Sequence, residues 1–180
     1  MSSHIIAAAA ALALAGCASA QAQTAAPAPP PCTTAEFHQM DFWLGDWDGR
    51  WDASPSMPAG QGRNIITREY GGCVIQEAFT GDASTGDLIG HSVSTYDAPS
   101  QRWRQTWVDN QGGYYALIGG PEGDDFILHL HRPRDNVLVQ RMVFEDITPQ
   151  AFTWRWQRTP DAGATWADQW VIQYTRRAPG

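Results

Sequence analysis

The side chains of this chain that could do chemistry are carboxylates, arginines, a glutamine and indoles set at alternate positions. Trp103, Gln105, Trp107 and Asp109 form one series, Val137, Val139, Arg141 and Val143 a second, Phe152, Trp154, Trp156 and Arg158 a third. Trp166, Asp168, Trp170, Ile172, Tyr174 and Arg176 form a fourth. In an extended strand every second residue shares a face. Polar groups so placed among large rings suit either a core with internal hydrogen-bonded pairs or the wall of a ligand cavity with a few fixed polar points. Arg141, Arg158 and Asp168, with Glu77, Gln105, Asp109 and Glu145 as candidate partners, would be costly to bury unpaired, so at least one ion pair is expected inside the fold or at its mouth. Each indole adds a flat rigid face and one N–H donor. The nine tryptophans suit stacking on a planar ligand or the filling of a small core, and alternation alone does not decide between them.

Other chemistries find less support. His129 and His131 stand two apart, a spacing that lets both reach one metal ion. They alternate with Leu128 and Leu130, and with the leucines turned inward the histidines face solvent, so no metal site is expected. The facing of His91 is left open by the pattern. Asp109 and Asp168 could pair as hydrolytic carboxylates, but that chemistry depends on their separation in space. Ser92 and Ser94 share a strand with His91, where adjacent residues point to opposite faces, so no nucleophile meets a base there. H-E-x-x-H, G-x-S-x-G and a phosphate-cradling glycine loop are not in the sequence. With 19 acidic against 12 basic residues and a net charge of -7, the chain is not a basic nucleic-acid binder.

Strands must hold these positions. From Trp43 onward the chain breaks every eight to twelve residues into a short alternating run and a cluster of Gly, Pro, Asp or Asn, the spacing of strands and turns. The turn clusters lie at 52–62, 71–72, 80–86, 97–100, 109–113, 119–125, 132–136, 146–150 and 159–165, and nine turns imply ten strands. The eight prolines beyond residue 31 fall in these clusters or at the C-terminal end, as expected where every run needs its backbone N–H groups for a sheet ladder. Consecutive antiparallel strands predict an all-β fold, an antiparallel up-and-down barrel of about ten strands, because closure leaves no edge exposed. A sandwich is the alternative. Helix is expected only as a short turn over 34–40.

The first residues read differently. Residues 1–16 have a short polar head without Lys or Arg, then an Ala/Leu core of secretory-signal length. This core is too short to cross a bilayer as a helix, which takes about 18 apolar residues. Leu14-Ala15-Gly16-Cys17 spells a lipoprotein box, in which Cys17 is acylated and becomes the first mature residue; Ala18-Ser19-Ala20 is a competing site that would release a soluble protein. Acylation would anchor the chain to a membrane, firmly if several acyl chains are attached. Residues 17–31, rich in Ala, Gln and Pro, read as an extended spacer, and 32–180 as the folded domain. Ala18 after the cysteine resembles an outer-membrane sorting signal. The expected location is therefore the bacterial envelope, at the periplasmic face of the outer membrane, or else the soluble periplasmic or secreted state. With Cys17 set aside, Cys32 and Cys73 remain as a pair in an oxidising compartment, and a disulfide between them is expected.

Three segments in order, D-F-W-L-G-D-W-D at 41–48, G-G-C-V-I-Q-E at 71–77 and W-R-Q-T-W-V-D-N at 103–110, resemble the bacterial DUF1579 domain of unknown function. The resemblance spans about 36–177 and implies a lipocalin-like, calycin-type barrel. It implies structural roles for Trp43, Gly45 and Trp47, with Gly45-Asp46-Trp47 matching the lipocalin G-x-W, and it implies an Arg over that Trp, which would be Arg176 or Arg177. It places Cys73 and Glu77 on the third strand and Gln105, Trp107 and Asp109 on the fifth. Haem-binding relatives of this fold use a His near the C-terminus, and this chain has none after His131, so no cofactor is expected. The leading expectation is non-catalytic binding of a small amphipathic or planar ligand by Glu77, Gln105, Trp107, Asp109, Arg141, Trp154, Trp156 and Asp168. The alternatives are an enzyme using an inward carboxylate or His of the same cavity, and a ligand-free structural or interaction module with a filled barrel.

Overall fold

The computed structural model describes residues 31–55, 57–130 and 139–178. The signal, Cys17, most of the spacer and His131 lie outside the described residues. Ten strands follow one another: β1 (Gly45–Trp51), β2 (Gly60–Glu69), β3 (Val74–Gly81), β4 (Ile89–Asp97), β5 (Arg102–Asp109), β6 (Tyr114–Glu122), β7 (Asp125–Leu130), β8 (Gln140–Glu145), β9 (Ala151–Arg158) and β10 (Ala167–Arg176). Each pairs antiparallel with the next and β10 closes on β1, giving an up-and-down barrel of lipocalin-like topology. Among the described residues no edge strand is left to pair with another chain. No described helix is long and apolar enough to cross a membrane.

One end is plugged. The short turn expected over 34–40 is a 3-10 turn, Ala35–His38, and a second follows at Asp41–Trp43; both are too short to hold a stripe of buried residues of their own. They carry Met40 and Trp43 into the core, nearly sealed from solvent, while Phe42 packs edge-on against Phe144 at 5.6 Å. Trp47 donates its indole N–H to the Trp43 carbonyl at 2.8 Å. The Arg176 guanidinium lies 4.0 Å above the Trp47 ring and donates to the Leu44 carbonyl at 2.8 Å. A side chain on Gly45, whose φ is +134°, would collide with that guanidinium, so only glycine lets strand, ring and cation stack this closely. The disulfide Cys32–Cys73 ties this plug to the start of β3, across a separation of 41 residues.

Two strand phases differ from the alternation expected of them. Leu128 pairs with Met142 and Phe126 with Phe144, which turns Met142 and Phe144 inward and Arg141, Val143 and Glu145 outward. On β10 the register shifts between Asp168 and Trp170: Asp168 pairs with Gln157 and Trp170 with Trp156. The extra residue, Gln169, is a β-bulge, and a bulge reverses the facing of everything before it. Trp170, Ile172 and Tyr174 therefore point in, while Trp166 and Asp168 point out.

The outward charges form a network. Arg155 bonds Glu145 at 2.5 Å and Asp168 at 2.6 Å. Gln157 donates to Asp168 at 2.8 Å and accepts from Arg141 at 2.7 Å, and Arg141 lies 4.2 Å over the Trp166 ring. The ion pair expected inside the barrel or at its mouth is thus found on its outer wall, where water lowers the cost of ionisation.

Candidate functional site

Above the plug the barrel holds a cavity of about 250 Å³, floored by Trp43 and opening between the loops at the far end. Its walls are mostly rings. Trp170 packs edge-on against Phe79 at 5.9 Å and Trp154 at 5.6 Å, and Tyr115 stands edge-on to Trp156 at 5.5 Å. These side chains meet because β3, β6, β9 and β10 each send alternate residues inward at the same height.

Deep in the wall sits one carboxyl. Glu77 on β3 accepts from Asn64 Nδ2 at 2.7 Å and from the Ser92 hydroxyl at 2.5 Å, across the β2–β3 and β3–β4 ladders. Removal from water pushes its pKa from 4.5 up to about 7, against the lowering effect of the Ser92 and Asn64 hydrogen bonds. Asn64 Nδ2 also approaches the Tyr174 hydroxyl at 3.5 Å. The Tyr174 phenol is raised well above its ordinary range, by burial first and by the nearby Glu77 charge second. The Asn64 carbonyl oxygen and the Trp43 and Trp170 indole nitrogens are buried on this lining without a hydrogen-bond partner.

At the mouth, Trp107 donates its indole N–H to Asp109 at 2.8 Å, and the second Asp109 oxygen accepts from the backbone N–H of Gln111 at 2.9 Å and of Gly113 at 2.8 Å. Partial burial raises the Asp109 pKa, but these three donors outweigh it and leave the carboxyl below its ordinary value. The Trp107 ring lies across Gly90 on β4 so closely that a methyl group there would overlap the ring. Residue 90 must therefore be glycine for the indole to lie flat on the wall.

The expected ligand residues divide accordingly. Glu77, Trp107, Asp109, Trp154 and Trp156 line the cavity. Gln105 is buried, bonded to Ser94 at 3.0 Å, and is not part of the lining. Arg141 and Asp168 stand in the outer network, and their inward placement is corrected by the β8 phase and the β10 bulge. The lining residues Asn64, Phe79, Trp170 and Tyr174 were not among the expected ligand contacts. A lone Asn in the alternating run 62–66 was the available signal for the first, but only the register brings it to Glu77.

His129 faces outward beside Glu122 at 3.6 Å, with burial lowering its pKa. Among the described residues no group of three or more His, Cys, Asp or Glu is placed to hold a metal ion. A second depression, of about 680 Å³, lies outside the mouth and carries Trp51 and Trp170 among otherwise mostly small and polar residues. Ile89, Val93, Val108 and Tyr114 are exposed on the outer face of β4 to β6. No protein-family model matches the chain, and no curated protein matches it.

Proposed function

We propose that the barrel is a non-catalytic binding module for a small, flat, largely apolar molecule. The observation that carries this reading is an aromatic-walled cavity whose one deep carboxyl, Glu77, has neutral hydrogen-bond partners and no cation. A core selected for stability alone gains more from an apolar residue at such a position. The space corresponds to about eight water volumes and lies just under the range of about 300–1,000 Å³ typical of drug-sized sites, so the ligand is small. Rings supply contact area, and Glu77 and Asp109 supply orientation. Trp107→Ala is expected to weaken binding about tenfold or more while the barrel keeps its near-ultraviolet circular dichroism. Native mass spectrometry of protein from its own host, followed by calorimetric titration of parent and variant with the molecule recovered, checks this; unchanged affinity places the site elsewhere.

The pKa of Glu77 near 7 favours one second reading, a general acid or base acting on a molecule in the same cavity. Recovery of the added molecule unchanged after prolonged incubation supports binding, and its conversion supports catalysis.

The order of the three quoted motifs, together with the barrel, supports membership of the DUF1579-like proteins. The lipoprotein box supports a lipid anchor at Cys17, with residues 17–31 as spacer and the barrel held at the periplasmic face of the outer membrane. Cys17→Ala is expected to move the protein from the membrane fraction to the soluble fraction on cell fractionation, whereas an unchanged distribution argues for release at the Ala18-Ser19-Ala20 site.

A further inference from the structure

The charge of the ligand follows from the groups on the cavity wall. Glu77 from β3 and Asp109 from β5 are its carboxyls and Tyr115 from β6 and Tyr174 from β10 its phenols, while β2 and β4 present the neutral Asn64 and Ser92 to Glu77. No arginine or histidine is among the described lining residues. A carboxylate or phosphate ligand would meet Glu77 with no cationic side chain on the described lining to offset the repulsion, only the unpartnered indole N–H groups of Trp43 and Trp170, and burial would magnify the penalty. The rings bias the site the same way. Phe79, Trp107, Trp154, Trp156 and Trp170 surround the space, and an aromatic face attracts positive charge. The Asn64 carbonyl oxygen is a further acceptor, on a residue 1% exposed and without a partner.

Resting on the reading of the cavity as a ligand site, we propose that its occupant is a flat organic monocation, such as a quaternised N-heterocycle or a protonated arylalkylamine. Its positive charge lies against Glu77 and Asn64 and its ring system among the tryptophans. The ligand then supplies the counter-charge that the fold withholds from Glu77. Because the carboxyl is pushed up to about 7, protons compete with a permanently charged ligand below that pH.

Three probes of one shape and three charges test this by isothermal titration calorimetry on the full chain: N-methylquinolinium, 1-methylnaphthalene and 1-naphthoate. At pH 8.5 the cation is expected to bind at least about tenfold more tightly than the hydrocarbon, and the anion to give no measurable heat of binding. Affinity for the cation should fall about tenfold per pH unit below 7, with the hydrocarbon unaffected. Glu77→Gln should abolish the preference while keeping hydrocarbon binding; if that variant does not fold, the pH profile of the unaltered protein carries the same test. Hydrocarbon binding equal to or tighter than the cation, tight binding of naphthoate, or a cation affinity flat with pH overturns the charge assignment and leaves the cavity a ligand site. Failure of all three probes to bind overturns the cavity reading together with the inference.

Discussion

Glu77 shows how much one residue can decide. Its carboxyl prefers the neutral form in the fold, at about 7 against an ordinary 4.5, because burial outweighs the Ser92 and Asn64 hydrogen bonds. Between those two values the folded state holds a proton that the unfolded chain has released. The contribution of Glu77 to stability therefore falls as pH rises from 4.5 to 7, by about 1.4 kcal/mol per unit and about 3 kcal/mol in all, and is flat above. Glu77→Gln should remove this slope and be the more stable protein at pH 8; urea unfolding of both chains from pH 5 to 8 measures it. A Gln variant that is less stable at pH 8 would mean that ionised Glu77 is better satisfied than its neutral partners allow. Glu77 itself was legible in the sequence as a candidate partner for an inward charge and, through the DUF1579 resemblance, as a third-strand residue. Its partners were not, because Asn64 and Ser92 reach it from two other strands.

At the scale of elements, alternation predicted ten strands and ten are present, because period-two patterning and turn residues are local signals. The facing of two strands was not local. Arg141 shares its alternate positions with valines, and either face of β8 could pass for the apolar one until β7 and β9 set the phase through Met142 and Phe144. On β10 an uninterrupted alternation from Trp166 to Arg176 hides the extra residue Gln169. That bulge releases Asp168 to Arg155 and Gln157 outside the barrel, so that β10 lines the cavity with Trp170, Ile172 and Tyr174. Deleting Gln169 should remove the bulge and leave Asp168 opposite Gln157 and Trp170 opposite Trp156 in a regular ladder, with Asp168 still outside and stability changed by no more than about 1 kcal/mol. Denaturant midpoints give the change, and a double-mutant cycle between positions 155 and 168 should show the coupling retained in the deleted chain; its loss would mean that the bulge itself sets the facing of Asp168.

For the molecule as a whole, closure through β1 and β10 and the plug over 35–43 make one continuous core, and the Cys32–Cys73 bond fastens the plug to β3. Closing a loop of 41 residues restricts the unfolded chain by about 4 kcal/mol. Reduction should lower the urea midpoint by a corresponding amount; an unchanged midpoint in the reduced protein would show that the plug is held by packing of Met40, Trp43 and Trp47 alone. By itself the sequence determined the all-β class, the number of strands, the cysteine pair and the inward tryptophans of β5 and β9, since patterning, turn chemistry and residue pairing are written along the chain. Only the tertiary structure decided that the tryptophans surround a space as well as one another, that the arginines stand outside, and that Glu77 is buried without a cation. Those properties depend on register and on one bulged residue, and a shift of a single position exchanges the inside of a barrel for its outside.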